Sequence, residues 1–261
     1  MSPNQPSEEQ QASRRELNSP RSRKTPVVEL VALLAICTLI ALLALPIFIA
    51  GRVPPVRNPC LENLKRISIG LENYAKQHGH SPPAYTTGAE GNRLHSWRTL
   101  ILPHMEMQAL YKTINLRKPW NDPSNARAAS AILECYQCPR VDFGDGQSPL
   151  TTYLAVVGPD SVIRTTDSRT PKEVEQVAGH TLLVIDAPKQ HAVHWMSPED
   201  VDEATALSIF AGDEPRTQHP SNLFLAMFAD GRGAAIPKGV APNSLRAMMT
   251  VSADDDDAID K

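Results

Sequence analysis

Glycine is scarce, with 13 in 261 residues, and none of them forms a Gly-x-Gly-x-x-Gly array. Loops that cradle phosphates through closely approaching amides are therefore not expected. Concentrated positive charge is missing too: 26 Lys and Arg stand against 29 Asp and Glu, interleaved to a net charge of −3. Nothing here offers phosphates a basic stripe, so nucleic acid is not an expected partner. No Ser or Cys sits in an elbow such as Gly-x-Ser-x-Gly, which removes the commonest signature of a hydrolase nucleophile. Cysteine is sparse at four residues. One of these, Cys37, falls inside an apolar run, and the remaining Cys60, Cys135 and Cys138 are an odd number, so at least one thiol is free or pairs with another chain.

What is present is dominated by Val27 to Ala50, VVELVALLAICTLIALLALPIFIA, in which Glu29 is the one charged side chain. As a helix it would be about 36 Å long, enough to cross a hydrocarbon layer of about 30 Å. After Glu29 no polar stripe recurs at helical spacing, so a half-buried surface helix is excluded and a transmembrane anchor is expected. A cleaved secretory signal is the rival, but the run exceeds the usual apolar core of about 7–15 residues, and bulky Phe48 sits where a small residue should precede a cut. Arg14, Arg15, Arg21, Arg23 and Lys24 precede the run, whereas only Arg52 and Arg57 follow it closely. That bias places the N-terminus in the cytoplasm and the long C-terminal part in the periplasm or on the cell surface.

The expected organisation is a disordered cytoplasmic tail over 1–26, the anchor over 27–50, a proline-containing hinge over 51–59, an exported domain over 60–250 and an acidic disordered tail over 251–261. Within the domain, Cys60, Leu64, Ile67, Leu71 and Tyr74 recur at offsets of four and three and form one apolar face of an amphipathic helix ending before Gly79. Ser96 to Ile114 reads as two short helices broken before Pro103. Thr151 to Val157 and Thr181 to Asp186 are short β-branched runs read as strands, with a polar surface excursion, Gly158 to Gly179, between them. Ser197-Pro198-Glu199-Asp200 has the residue types that open a helix. Leu223 to Ala229 and Arg232 to Ile236 flank Asp230-Gly231, which favours a type I′ hairpin. The fold class expected is α+β, an amphipathic helix on an antiparallel sheet with long irregular loops, one sizeable core and frequent proline (23 residues) punctuating the connections.

The order of these segments resembles the bacterial pseudopilin-like family catalogued as domain of unknown function 1559. The residues that carry it are Glu29 in the apolar run, Cys60-Leu61-Glu62-Asn63-Leu64-Lys65, Asn73-Tyr74 with Pro82-Pro83, and Ser96-Trp97-Arg98 with Leu102-Pro103. Leu110-Tyr111, Pro119-Trp120, Cys138-Pro139, Thr152-Tyr153, Trp195 with Pro198-Glu199-Asp200, and His219-Pro220 leading to Asp230-Gly231 complete it. The resemblance implies a pilin-like body on a membrane helix, and it implies that Glu29 pairs with a neighbouring subunit during assembly; a glutamate snorkelling at the interface is the simpler reading. Two positions differ from the pilin pattern: Lys24 stands where a glycine precedes the processing site, and Thr25 follows it.

Cys135-x-x-Cys138 invites a redox reading, but Pro139 and the residues after it do not form the helix such a site requires. A disulfide from Cys60 to Cys138 is expected instead, with Cys135 the free or alternative partner. His191 and His194, three apart in a loop or strand, point to opposite faces and make a poor metal pair; no metal or other cofactor is expected. The expectation is a non-enzymatic, single-pass membrane protein, with lipid and other pseudopilin-like subunits or envelope proteins as partners. A permanently anchored binding or scaffold domain is the alternative, and an exported enzyme the third.

Overall fold

A computed structural model of the chain describes residues 30–40, 58–144, 148–165, 167–175, 179–211, 219 and 223–251. It divides into two units, Met1–Arg57 and Asn58–Lys261. In the first, residues 30–40 are helical, and Leu30, Val31, Leu33, Leu34, Ile36, Leu39 and Ile40 are each more than half exposed. Among the described residues no helix is long and apolar enough to cross a membrane; the rest of the Val27–Ala50 run, Glu29 included, lies outside them, as do the 1–26 tail and residues 252–261.

The second unit is an α+β body. Helix α1, Pro59–His78, starts with Pro at its first position and ends at Gly79 in the left-handed region (φ 79°), whose N–H donates to the Ala75 carbonyl at 2.8 Å. Its buried positions include Cys60, Leu64, Ile67, Leu71 and Tyr74, the face the spacing predicts. Strands β1 (Tyr85–Thr87) and β2 (Arg93–Ser96) form a hairpin, and β3 (Leu150–Thr151) pairs with β6 (Val193–His194). The main sheet has the order β4 (Tyr153–Ala155), β5 (Leu182–Asp186), β7 (Leu223–Phe228), β8 (Gly233–Pro237), antiparallel throughout.

Both faces of this sheet are covered. On one, Tyr153, Ala155, Val184, Leu225 and Met227 share a core with the α1 face and with Trp97, Tyr136 and Trp195. On the other, Leu154, Ile185, Phe224, Ala226 and Phe228 pack with helices α2 (Glu203–Ala211) and α3 (Pro242–Ala247). The alternation follows from successive strand residues pointing to opposite faces. It also explains why Leu223–Phe228 (LFLAMF) is uniformly apolar: a strand sandwiched between two helical layers has no solvent side.

Three local expectations are corrected. Residues 197–200 are not helical; α2 begins at Glu203, with the Asp202 side chain accepting from Thr205 N at 2.7 Å, because Asp200 is drawn into the interior instead. The β7–β8 connection is not a type I′ turn. Phe228 N donates to Arg232 O and Gly231 N to Phe228 O, both at 2.9 Å, and Gly231 has positive φ (78°) where Asp230 does not. This is a three-residue loop, a turn closed by a left-handed glycine. Finally, the 158–179 stretch is not wholly a surface excursion, since Val162 and Ile163 enter the core.

His95 is fully buried, its Nε2 donating to Lys118 O at 2.8 Å, and burial depresses its pKa below the ordinary 6.5. His194 is depressed by burial as well. Because the unfolded chain then takes up these protons first, the stabilisation is complete above pH 6.5 and is lost as pH falls through the lower folded-state values. Thermal melts should show falling stability from about pH 6.5 downward, with a shallower slope in His95→Gln.

Candidate functional site

Four side chains distant in sequence converge where α1 begins. Cys60 occupies its second position, Cys138 lies just past the one-turn helix Glu134–Tyr136, Asp186 ends β5, and His219 comes from the chain preceding β7. Their Sγ, carboxylate and imidazole atoms all lie within 4.8 Å of one another, and all four residues are buried. His219 Nε2 is 2.8 Å from Asp186 Oδ2 and 4.0 Å from Cys138 Sγ. The other Asp186 oxygen, Oδ1, accepts from the Thr152 hydroxyl at 2.5 Å. Tyr153, opposite Asp186 in the β4–β5 register, donates its hydroxyl to Cys60 O at 3.3 Å.

Cys60 and Cys138 are not bonded to each other in this structure. A hydrogen bond from Cys138 outweighs burial and holds the Cys60 thiol down at about 7, and the donating Cys138 is pushed far up. Cys60 also sits in the first turn of a 20-residue helix, whose positive end favours a negative sulfur. Cys135 stands apart, with burial raising its thiol to about 11; the Cys135-x-x-Cys138 spacing does not make a reactive dithiol. Cys60 and Cys138 are thus brought together, while His219 meets Asp186 and not Asp230. Sequence reasoning missed Asp186, which looked like the last residue of a strand, and treated His219 as a motif residue without chemistry.

Neighbouring residues of α1 hold the surrounding segments. Asn63 Nδ2 donates to Glu134 O at 3.0 Å and Gln137 O at 2.9 Å, pinning the turn that delivers Cys138. Lys65 Nζ donates to Gly231 O at 2.8 Å, and Asp230 Oδ1 accepts from Arg232 N at 2.8 Å, so the Asp-Gly turn is clamped onto the helix.

A family model described as "Protein of unknown function (DUF1559)" matches residues 57–207. The chain belongs to that family. No curated protein and no solved structure matches it. The match includes Cys60, Cys138 and Asp186, and His219 follows its end.

Much of what lies inside the DUF1559 region serves a second buried centre. Arg98, fully buried, pairs with Asp200 Oδ1 at 2.7 Å. It also donates to the carbonyls of Trp195 (3.1 Å), Tyr153 (3.3 Å), Ser197 (3.0 Å) and Glu199 (2.7 Å). Asp200 accepts from Trp97 Nε1 at 3.1 Å and from Ala155 N at 2.8 Å. Tyr136 donates to Arg98 O at 2.7 Å, and Trp195 Nε1 to Ala131 O at 3.0 Å. Ser96-Trp97-Arg98, Trp195 and Pro198-Glu199-Asp200 are therefore one polar knot tying the helical turn Trp97–Leu100 to the sheet edge. His194 Nε2 donates to Ala129 O at 3.0 Å and its Nδ1 accepts from Met196 N at 3.1 Å, so both ring nitrogens have backbone partners.

Proposed function

We propose that this DUF1559 member is a non-enzymatic, single-pass membrane protein of the cell envelope, built like a pseudopilin: an apolar N-terminal helix in lipid, a cytoplasmic N-terminus, and an exported α+β body. The observation that carries this reading is the exposed apolar surface of residues 30–40 on every side of the helix, a surface that water does not tolerate over a longer run. An amphipathic helix laid on an antiparallel sheet immediately afterwards supports the pilin-like comparison. A non-enzymatic role is supported by where the buried polar groups are spent: Arg98, Asp200, His95 and Asn63 are all engaged with backbone partners.

Assembly with pseudopilin-like subunits or other envelope proteins follows from the same reading. Lys24 and Thr25 at the processing position favour a second form of it, a permanently anchored scaffold or binding domain that never enters a filament. Fractionation of cells making the full chain should leave it in membranes resistant to alkaline extraction and released by detergent, with protease reaching the body only from the outer side. Intact mass then separates the two forms, a chain starting near Thr25 supporting assembly and an unclipped one the permanent anchor. A soluble, unclipped product would overturn both.

A further inference from the structure

We propose that Cys60, Cys138, Asp186 and His219 form a closed structural site for a thiophilic divalent cation, zinc being the ion that this donor set suits. Two thiols, a carboxylate and an imidazole lie inside 4.8 Å, all shielded from solvent. Gathering such groups without water is costly, and a cation is what turns the cost into a gain.

The geometry fits. Zinc bonds of about 2.0–2.3 Å define a tetrahedron with edges of about 3.3–3.8 Å, so donors already within 4.8 Å need only small side-chain adjustments. Two sulfurs, one nitrogen and one carboxylate oxygen match zinc in softness and number. The outer contacts are those a ligand set needs: Thr152 holds Asp186 Oδ1 and so presents Oδ2 inward, and Asn63 fixes the turn bearing Cys138. Binding breaks two S–H bonds, forms two metal–sulfur bonds and releases two protons to solvent, with the imidazole supplying its lone pair and the carboxylate its charge. Four protein donors leave no open position, so the ion joins α1, the 134–138 turn, β5 and the segment before β7 and does not activate water. This inference does not rest on the membrane reading, because its test measures metal and not location.

The full-length chain, purified in detergent under reducing conditions and assayed by elemental analysis, should carry one zinc per chain. Cobalt titrated into the metal-free chain should give the thiolate charge-transfer absorption and intense visible bands of a tetrahedral site. Cys60→Ser should abolish these bands, and Asp186→Asn and His219→Gln should weaken binding at least about tenfold. Cys135→Ser and His194→Gln should leave it unchanged. Cys138→His, which keeps a donor, should retain the ion with weaker sulfur absorption even where Cys138→Ser fails to fold. The proposal is overturned if the reduced chain binds no cobalt, if the bands survive Cys60→Ser in a folded chain, or if the chain isolated from cells carries a Cys60–Cys138 disulfide in place of metal.

Discussion

Replacing Arg98 with methionine should cost about 3–5 kcal/mol, because it strands a buried carboxylate while freeing four carbonyls from their donor. Asp200 is the weaker partner in this respect. Its pKa is raised by burial in spite of Arg98, so its charge is held at some expense, and Asp200→Asn should cost less, about 1–3 kcal/mol. In that variant Arg98 keeps its four carbonyl acceptors, whereas in Arg98→Met no cation remains beside Asp200, only the Trp97 and Ala155 N–H donors. The raised pKa also has a sign. The folded state holds this proton more tightly than the unfolded chain, so the group favours folding below its unfolded value of 3.8 and that contribution is lost as pH rises through the folded value. Urea denaturation followed by tryptophan fluorescence, with Trp97 and Trp195 both buried reporters, measures all of this. Equal losses in the two variants, or a smaller loss for Arg98→Met, would reject the asymmetry.

The second large effect is expected on α1. Leu64 is fully buried between helix and sheet, and Leu64→Ala should destabilise by about 2–5 kcal/mol through lost burial and the cavity left behind. Ile69, on the same helix but 44% exposed, provides the contrast: Ile69→Ala should stay within about 0.5 kcal/mol. Comparable losses at the two positions would mean that Ile69 packs against something beyond this body.

The contrast between those residues also shows what could be read from the chain alone. The face of α1 was legible because every third or fourth residue from Cys60 to Tyr74 is apolar, and helical period is a local property. The β7–β8 hairpin was legible from Asp230-Gly231, but its turn type depended on Phe228 pairing with Arg232, one residue farther out than the dipeptide suggests. Ser197 to Asp200 failed for a tertiary reason: local preference favoured a helix start, and Arg98, about a hundred positions earlier, captured the carboxylate instead. The second helical layer went unseen because uniformly apolar strands announce burial without saying what covers them. Least legible was the four-donor cluster. Cys60 and Cys138 could be guessed as neighbours, but Asp186 and His219 join them only through the tertiary fold, and no local pattern encodes such a meeting.

One consequence follows from where the chain enters the body. Pro59 opens α1 a single residue before Cys60, so any tension on the N-terminal segment is delivered straight to the place where Cys138, the end of β5 and His219 come together. A pull there acts on several segments at once.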